Sequence, residues 1–243
     1  MPAAAISEGR AAEVLSLREI SSGYGAVSVV KSVTLSVRPG EIVAVLGKNG
    51  MGKSTLLKTI LRHVPLRGGA IQIGGVEQAN LTPARMIAWG LSFVPQEQAL
   101  FQDLTIRDNL RLAVRSDGDF GAALDRAFGY FPFLGERLKQ KAGTLSGGEQ
   151  KMLILARALM LRPRLLLVDE ISEGLQPSVV DRIVGVMRDE RSRDGTAMLV
   201  VEQNLDFALR VADRWAVLKM GEIDDEGPCG PEAHARVLEH LSL

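Results

Sequence analysis

Cysteine is almost absent from this sequence, since Cys229 is the only one among 243 residues. One cysteine cannot form a disulfide within the chain, and no metal-site pattern of histidine and cysteine surrounds it. Its immediate neighbours are glycine and proline, so we interpret it as a small side chain in a loop. The lack of cysteine pairs fits a reducing cytoplasm.

A long apolar run and a net charge are also missing. No hydrophobic stretch reaches the roughly 18 residues that would suggest a membrane-spanning helix, and 29 basic residues balance 29 acidic ones. We therefore expect a soluble chain with no bulk attraction to nucleic acid. Residues 1–12 lack the basic start and apolar stretch of a secretory signal, and we expect a flexible tail there before one domain at 13–243.

Apolar segments alternate with helical patterns along most of the chain. Early segments such as 33–37 alternate apolar and polar residues, which predicts an antiparallel β portion near the N-terminus. Alternating strands and helices after it indicate an α/β fold with a mainly parallel sheet. The predicted strands lie at 42–46, 70–73, 91–94, 165–168, 197–201 and 215–218.

Two long helices and an inserted helical subdomain are expected. A helix is predicted at 54–62, directly after a glycine-rich stretch, and another begins near Gly147 and ends before Pro163. Residues 97–150 are interpreted as an inserted helical subdomain, with short helices at 108–114, 122–128 and 135–139.

The segment from Gly47 to Ser54 matches the pattern G-x-x-x-x-G-K-S between a predicted strand and a predicted helix. Its glycines let successive N–H groups face phosphate oxygens, and the helix start adds a partial positive charge. Lys53 is predicted to reach the β- and γ-phosphates of ATP, and the Ser54 hydroxyl to bind Mg²⁺. A glycine turn with a chance lysine is the alternative, which the complete motif disfavours. The predicted nucleotide contacts are Gly47, Lys48, Asn49, Gly50, Met51, Gly52, Lys53, Ser54 and Thr55.

The predicted strand at 165–168 ends in two carboxylates, Asp169 and Glu170. Charged groups stay at the end of a buried strand where it opens into a polar site. Asp169 is predicted to bind Mg²⁺, and Glu170, directed the other way by strand alternation, to polarise the attacking water. An acidic strand end alone is weak support, because strand ends are commonly polar. With the phosphate loop upstream it predicts ATP hydrolysis, in which Lys53 also takes part.

Between these motifs lies a second glycine-containing helix start. Ser146 is a good N-cap, and the two glycines after it expose backbone N–H groups that can bind an anion. Alone, Ser-Gly-Gly is more often a simple helix cap. Standing about 20 residues before the acidic strand end, the segment resembles the signature sequence of ATP-binding cassette (ABC) ATPases. That resemblance implies nucleotide contacts from Ser146, Gly147, Gly148, Glu149 and Gln150.

The resemblance to ABC ATPases extends over about residues 14–227 and implies a P-loop NTPase fold with ATP and Mg²⁺ as ligands. Tyr24 matches the aromatic residue that stacks on adenine, although a tyrosine between two glycines is equally suited to a turn. Gln96 matches the glutamine that joins the Mg²⁺ shell and relays the nucleotide state to the helical insert, although an isolated glutamine at a strand end is usually only solvated. Residues 172–175 match the loop that meets the opposite subunit.

Two positions depart from the pattern of the ABC family. Ile171 stands where the family usually has proline, and Gln203 where most members have a histidine that contacts the γ-phosphate. Gln203 is carried over as a catalytic residue, but its amide cannot titrate near neutral pH. With Ser-Glu-Gly-Leu at 172–175 and Val-Glu-Gln-Asn at 201–204, the chain resembles the ATPases of branched-chain amino acid importers and their urea and short-amide relatives.

The resemblance also implies partners. These are a second ABC ATPase subunit, identical or paralogous, transmembrane permease subunits at the inner face of the cell membrane, and indirectly a solute-binding protein; no nucleic acid is expected. The predicted docking face for the permease lies beside Gln96, with Glu97, Gln98, Leu100 and Phe101 and the helical insert. Alternatively, Leu100 and Phe101 pack the insert's own core.

Two rival functions belong to other classes. A soluble ABC ATPase of nucleic-acid repair or translation usually carries a long coiled coil or two fused cassettes, which 243 residues do not accommodate. An ABC ATPase of iron–sulfur assembly would fit this length. A non-ABC P-loop kinase would have no use for the segment at 145–150. The subfamily resemblance favours the importer over these rivals.

Overall fold

The structure, a computed structural model, describes residues 13–96, 100–114 and 116–242. The predicted tail at 1–12, and Glu97 and Gln98 of the predicted docking face, lie outside the described residues. The strands in chain order are β1 Leu15–Tyr24, β2 Val27–Val37, β3 Ile42–Leu46, β4 Leu66–Ile73, β5 Val76–Glu77, β6 Leu91–Val94, β7 Leu165–Asp169, β8 Ala197–Glu202, β9 Arg214–Lys219 and β10 Glu222–Pro228. The helices are α1 Lys53–Ile60, α2 Pro83–Trp89, α3 Ile106–Arg111, α4 Asp117–Tyr130, α5 Phe133–Glu136, α6 Gly147–Leu159, α7 Pro177–Asp194, α8 Leu205–Val211 and α9 Ala233–Ser242.

Two sheets form the centre of the fold. The larger has the order β10-β9-β3-β8-β7-β6, and all its neighbouring pairs are parallel except β10 with β9. The smaller is antiparallel with the order β2-β1-β4-β5. The mainly parallel α/β fold with an N-terminal antiparallel portion is therefore confirmed. In β2 the predicted alternation is also present, since Val33, Leu35 and Val37 are buried and Thr34 is exposed.

Strand β3 explains why the sequence before the glycine loop is uniformly apolar. Ile42, Ala44 and Leu46 pack in a core that includes α6 and α8, while Val43 and Val45 pack in a second core shared with β1 and α1. All five residues are fully buried, and burial of such a side chain contributes about 1.5–3 kcal/mol. Because neighbouring strands run parallel, the carboxyl ends of β3, β7 and β8 open at one edge of the sheet.

The described residues between β6 and β7 form helices and no strand, although the helix bounds differ from the prediction. Helix α3 begins earlier than the predicted residue 108, because Thr105 and Asp108 form a capping box in front of it. Helix α4 also begins earlier than the predicted residue 122, because the Ser116 hydroxyl accepts a hydrogen bond from Gly118 N at 3.2 Å. Helix α5 precedes most of its predicted range. In the described ranges, no helix is both long and apolar enough to cross a membrane.

Candidate nucleotide site

The loop between β3 and α1 has the backbone shape that its glycines predict. Gly50 and Gly52 have φ angles of 81° and 103°, in the left-handed region that side chains disfavour. A Cβ atom on Gly47 would lie 2.5 Å from the Leu218 carbonyl oxygen, so only glycine fits there. The chain therefore curls tightly against β9 before α1 begins at Lys53.

Lys53 is a buried cation with three oxygen partners. Its Nζ donates to the carbonyl oxygens of Gly47 at 2.7 Å and Lys48 at 3.1 Å. It also lies 3.0 Å from Glu170 Oε1. A buried ammonium requires such partners, and here they come from the loop itself and from the chain after β7. The structure thus joins the two predicted phosphate-chemistry motifs through one ion pair.

Ser54 and Asp169 form the second contact between these motifs. The Ser54 hydroxyl donates to Asp169 Oδ1 at 3.0 Å. Burial raises the pKa of the Asp169 carboxyl above its ordinary value, and the Ser54 hydrogen bond opposes that rise. The pair places a hydroxyl and a carboxylate oxygen side by side, which are ligand types that Mg²⁺ prefers.

Glu170 does not follow the strand alternation from which its direction was predicted. Strand β7 ends at Asp169, and Glu170 has a φ angle of 43°, in the left-handed region. Its side chain consequently approaches α1, as the Asp169 side chain does. The expectation that the two carboxylates diverge is wrong, because Glu170 has already left extended geometry.

Gln96 joins the same group of side chains. Its Nε2 donates to Glu170 Oε2 at 3.0 Å and to Glu173 Oε2 at 2.8 Å. Its carbonyl oxygen accepts from Lys151 Nζ at 2.6 Å, which ties the end of β6 to α6. Sequence reasoning placed Gln96 here by resemblance only, and the structure shows contacts to both the acidic strand end and the helical part.

An open cleft of about 480 Å³ lies over these groups. The phosphate loop forms one wall and the acidic strand end the other. Ser54 and Thr55 lie at its floor side, where α1 starts. The cleft is lined by Val29, Asn49, Gly50, Gly52, Lys53, Ser54, Thr55, Gln96 and Glu170.

Lys48 and Met51, two of the predicted nucleotide contacts, direct their side chains elsewhere. They line a separate cavity of about 290 Å³ beside β9 and α9. The Met51 sulfur accepts a hydrogen bond from Met220 N at 3.2 Å. Neither residue is among the described residues that line the cleft.

The segment Ser146 to Gln150 forms the predicted helix start. Ser146 Oγ accepts from Glu149 N at 3.3 Å, and Glu149 Oε2 accepts from Ser146 N at 2.9 Å. These contacts lower the pKa of Glu149, chiefly through the Ser146 N–H. Gln150 donates to the Leu145 carbonyl at 3.1 Å. Among the described residues that line the cleft, none comes from this segment, so the structure does not bring it to the phosphate loop of the same chain.

Tyr24 and Gln203 lie at the surface. Tyr24 is 50% exposed at the end of β1, where the hairpin to β2 is held by Arg67 through the carbonyls of Gly25 and Val27, at 2.6 and 3.2 Å. Gln203 is exposed just after β8. Neither side chain lines the described cleft. Their roles toward a nucleotide stay predictions.

The predicted docking face divides into a buried and an exposed residue. Leu100 is buried in the core with α3 and α6, as the alternative interpretation expected. Phe101 is 60% exposed, and Asn109 holds its backbone through hydrogen bonds to Phe101 N and O, each 3.0 Å long. Phe101 is thus presented at the surface by a buried amide.

Sequence reasoning missed one functional candidate, Glu202. Its carboxylate is buried and accepts hydrogen bonds from Ser172 N at 3.0 Å and Ser172 Oγ at 2.9 Å. The signal in the sequence was an acidic residue at the end of an apolar strand, next to Gln203. The same reasoning that identified Asp169 and Glu170 applies to it.

This arrangement can bind a polyphosphate and attack it. A buried ammonium, a curled run of N–H groups and a helix start form a cradle for phosphate oxygens. The Glu170 carboxylate lines the same cleft, where it can accept a proton from water.

Comparisons with known proteins agree with this geometry. A family described as ABC transporter matches residues 30–173, which is more than half of the chain. The chain is 39% identical over 212 residues to the high-affinity branched-chain amino acid transport ATP-binding protein BraG of Pseudomonas aeruginosa, covering 86% of this chain and 91% of that protein. It is 32% identical over 228 residues to the probable branched-chain amino acid transport ATP-binding protein LivF of Archaeoglobus fulgidus, covering 91% and 93%.

A solved structure gives the same result for the fold. A nucleotide-free ATP-binding cassette from an ABC transporter superimposes with a TM-score of 0.84 and 25% identity, covering 93% of this chain and 95% of that one. The fold that carries the phosphate loop and the acidic strand end is therefore that of a known ATP-binding cassette. The chain belongs to the ABC transporter family, as one of the chains that bind and hydrolyse ATP.

Proposed function

We propose that this chain is the ATP-hydrolysing subunit of an importer for branched-chain amino acids or a related small solute such as urea. The observation that carries the ATPase part is that Lys53, Ser54 and Glu170 line one cleft, with Asp169 hydrogen-bonded to Ser54 beside it. The solute part is supported by the two relatives named as branched-chain amino acid transport proteins.

The phosphate loop holds the triphosphate of ATP in this proposal. Backbone N–H groups of the loop and of the α1 start donate to phosphate oxygens. Lys53 gives up part of its contact with Glu170 Oε1, now 3.0 Å away, and turns its charge toward the β- and γ-phosphates. Tyr24 stacks on the adenine from the neighbouring hairpin.

The donor set at Ser54 and Asp169 fits Mg²⁺. Within the described residues there is no group of three His, Cys, Asp or Glu side chains that could hold a metal alone. Mg²⁺ is typically held by one or two carboxylates together with substrate phosphates, so Ser54, Asp169 and Gln96 suffice as the protein's share. The ion, when bound, would neutralise charge on the phosphate oxygens.

Glu170 activates the attacking water. Its carboxylate lies on the cleft, between Lys53 and Gln96, where it can orient a water and accept its proton. Gln203 has no titrating group near neutral pH and serves as a hydrogen-bond donor to the γ-phosphate. Glu170 is therefore the general base of the proposed reaction.

The ATP site is shared by two cassettes in this proposal. The helix start at Ser146 is solvent-exposed and does not line the chain's own cleft. The corresponding segment of a second cassette, identical or paralogous, would close over the phosphates and place its own N–H groups against them. ATP then joins the two cassettes, and its hydrolysis releases them.

An apolar groove beside the helical insert is the proposed permease site. A cavity of about 580 Å³ lies between α2, β6, α3 and α6. Ile87 and Leu112 line it and are each 57% exposed. Such grooves bind amphipathic helices of partner proteins. Leu112→Asp should reduce solute uptake while sparing ATP binding. Val76→Asp, at an exposed residue of β5 that does not line the groove, is the matched control. Unchanged uptake in the groove variant would refute docking there.

Uptake in cells that lack the gene tests the importer and its solute together. Complementation with the wild-type chain should restore accumulation of labelled leucine, or of labelled urea if the solute belongs to that branch, and Glu170→Gln should restore neither. Restoration of neither solute by the wild-type chain, despite normal production of the permease subunits, would contradict the proposal.

A further inference from the structure

Glu202 is a buried carboxylate that the proposed reaction does not use. It is the last residue of β8 and is only 1% exposed. A carboxylate that leaves water loses several kcal/mol of hydration unless protein groups replace it. The groups that replace the lost hydration of the Glu202 carboxylate therefore indicate its role.

All four hydrogen bonds of the Glu202 carboxylate are accepted from groups in two loops. Oε1 accepts from Ser172 N at 3.0 Å, and Oε2 accepts from Ser172 Oγ at 2.9 Å. Oε2 also lies 3.3 Å from Gln203 N and 3.5 Å from Asn204 N. Burial raises the pKa of Glu202, and the hydrogen bonds that Ser172 donates oppose the rise. The carboxylate is thus a pure acceptor that fastens the loop after β7 to the loop after β8.

The backbone around Glu202 is hydrogen-bonded to the phosphate loop and to Glu170. The Glu202 carbonyl oxygen accepts from Gly47 N at 3.3 Å, where the phosphate loop begins. The carbonyl oxygen of Val201, one residue earlier, accepts from Glu170 N at 3.0 Å. The end of β8 therefore contacts the phosphate loop, Glu170 and Ser172 at once.

Glu170 depends on such fastening because its backbone is strained. A φ angle of 43° is unfavourable for a residue with a side chain. Val201 O fixes the N–H of Glu170, and the Glu202 carboxylate fixes the N–H of Ser172, so Glu170 and Ile171 are held between two anchored points. Ile171 is fully buried between them. Without the second anchor, the chain after Glu170 can relax toward ordinary backbone geometry.

We propose that Glu202 is a positioning residue for ATP hydrolysis, whose buried carboxylate keeps Glu170 in its strained conformation by anchoring Ser172. Glu202 is not among the described residues that line the cleft, and it acts through the loop that it holds. The proposal rests on the proposed role of Glu170 as general base.

The test compares the kcat of ATP hydrolysis with ATP affinity in three variants. Glu202→Gln keeps the shape of the side chain but replaces one accepting oxygen by an NH₂ group, which cannot accept from the N–H of Ser172 or, in the other orientation, from those of Gln203 and Asn204. We expect kcat to fall about 10-fold to 100-fold, as for other small misplacements of a catalytic group, with ATP affinity changed less than about 3-fold. Ser172→Ala removes only the hydroxyl contact and should lower kcat by about 3-fold. In the double variant the two losses should not multiply, since both break the same contact.

Glu190→Gln is the matched control. Glu190 is also 1% exposed and also hydrogen-bonded in a network, but it lies near the end of α7, away from the cleft lining. We expect it to lower the midpoint of thermal unfolding and to leave kcat unchanged. Equal losses of kcat in Glu190→Gln and Glu202→Gln would assign a purely structural role to Glu202 and overturn the proposal.

Two further outcomes would overturn the proposed role of Glu202. The first is a folded Glu202→Gln variant whose kcat is within 2-fold of the wild-type value. If that variant does not fold, the second is a wild-type kcat in Ser172→Ala. Glu170→Gln is measured alongside. Wild-type turnover in Glu170→Gln would instead refute the proposed function, so the two failures are distinguishable.

Discussion

Lys53 and Glu170 show how single residues of the cleft serve two states. In the structure their charges neutralise each other at 3.0 Å, and the Lys53 ammonium completes its contacts with loop carbonyls. A buried ion pair of this kind adds little net stability against the cost of desolvation. In the proposed reaction the pair holds each partner ready for a different task, phosphate binding for Lys53 and proton transfer for Glu170.

The single cysteine gives a residue-scale prediction. Partial burial and the nearby Asp213 raise the pKa of Cys229 to about 11 from 9.0. Because the folded pKa lies above the unfolded one, this thiol contributes stability that is lost as pH rises through that window. Alkylation by iodoacetamide at pH 8 should be far slower in the folded protein than in urea, since the thiolate is the nucleophile. Mass spectrometry of timed samples measures the alkylation rate. Equal rates in the folded protein and in urea would contradict a raised pKa of Cys229.

At the scale of elements, a network of ion pairs and hydrogen bonds joins α4 to α7. Arg126 Nη2 lies 2.9 Å from Glu190 Oε2 and 2.6 Å from Asp194 Oδ2. Thr196 Oγ1 donates to Glu190 Oε1 at 3.0 Å, and Tyr130 also contacts Glu190. Burial and the neighbouring carboxylate raise the pKa of Tyr130. These contacts attach the helical insert to the core of the cassette.

Removing the centre of that network should be costly. Glu190→Ala removes the buried carboxylate that Arg126, Tyr130 and Thr196 contact and leaves Asp194 as the carboxylate partner of Arg126, and we expect the free energy of unfolding to fall by about 3–5 kcal/mol. Asp117→Ala, which breaks the exposed pair with Arg111, is the control and should change it by less than about 1 kcal/mol. Urea denaturation measures both. Similar losses in the two variants would show that the network does not carry the attachment.

The sequence predicted elements where pattern and burial coincide. Strands β3, β7 and β8 were found nearly to the residue because burial on both faces leaves uninterrupted apolar runs. Strand β6 was found although Ser92 interrupts its apolar residues. Strand β10 was missed, since Glu222–Pro228 carries four acidic residues and forms an edge of the sheet, paired only with β9. The extended conformation of β10 comes from its pairing with β9, which the local sequence pattern does not predict.

The same limit applies to the site. Motif spacing predicted that Lys53, Ser54, Asp169 and Glu170 lie together, because the carboxyl ends of parallel strands share one edge, and the structure brings these four residues into contact. It could not predict the φ angle of Glu170, which depends on hydrogen bonds to β8, 30 or more residues away in the sequence. The role of Glu202 arises from the same long-range contacts.

At the scale of the whole molecule, the exposed helix start at Ser146 predicts association. Glu170→Gln with ATP and Mg²⁺ should double its mass from the 26.2 kDa of one chain, while ADP should leave it unchanged. Light scattering after gel filtration measures this. Ser146→Arg in the same background should bind ATP and stay at the lower mass, because a bulky cation blocks the exposed helix start. Binding of ATP without any change of mass would contradict a site shared between two identical chains.

The central claim is that Glu170 drives ATP hydrolysis from the cleft formed with the phosphate loop. The most direct test is the steady-state rate of phosphate release by the wild-type chain and by Glu170→Gln, with ATP binding measured on both. We predict that Glu170→Gln binds ATP with wild-type affinity and that its kcat falls at least about 100-fold, as expected for loss of a general base. Multiple turnovers at the wild-type rate in that variant would contradict the account.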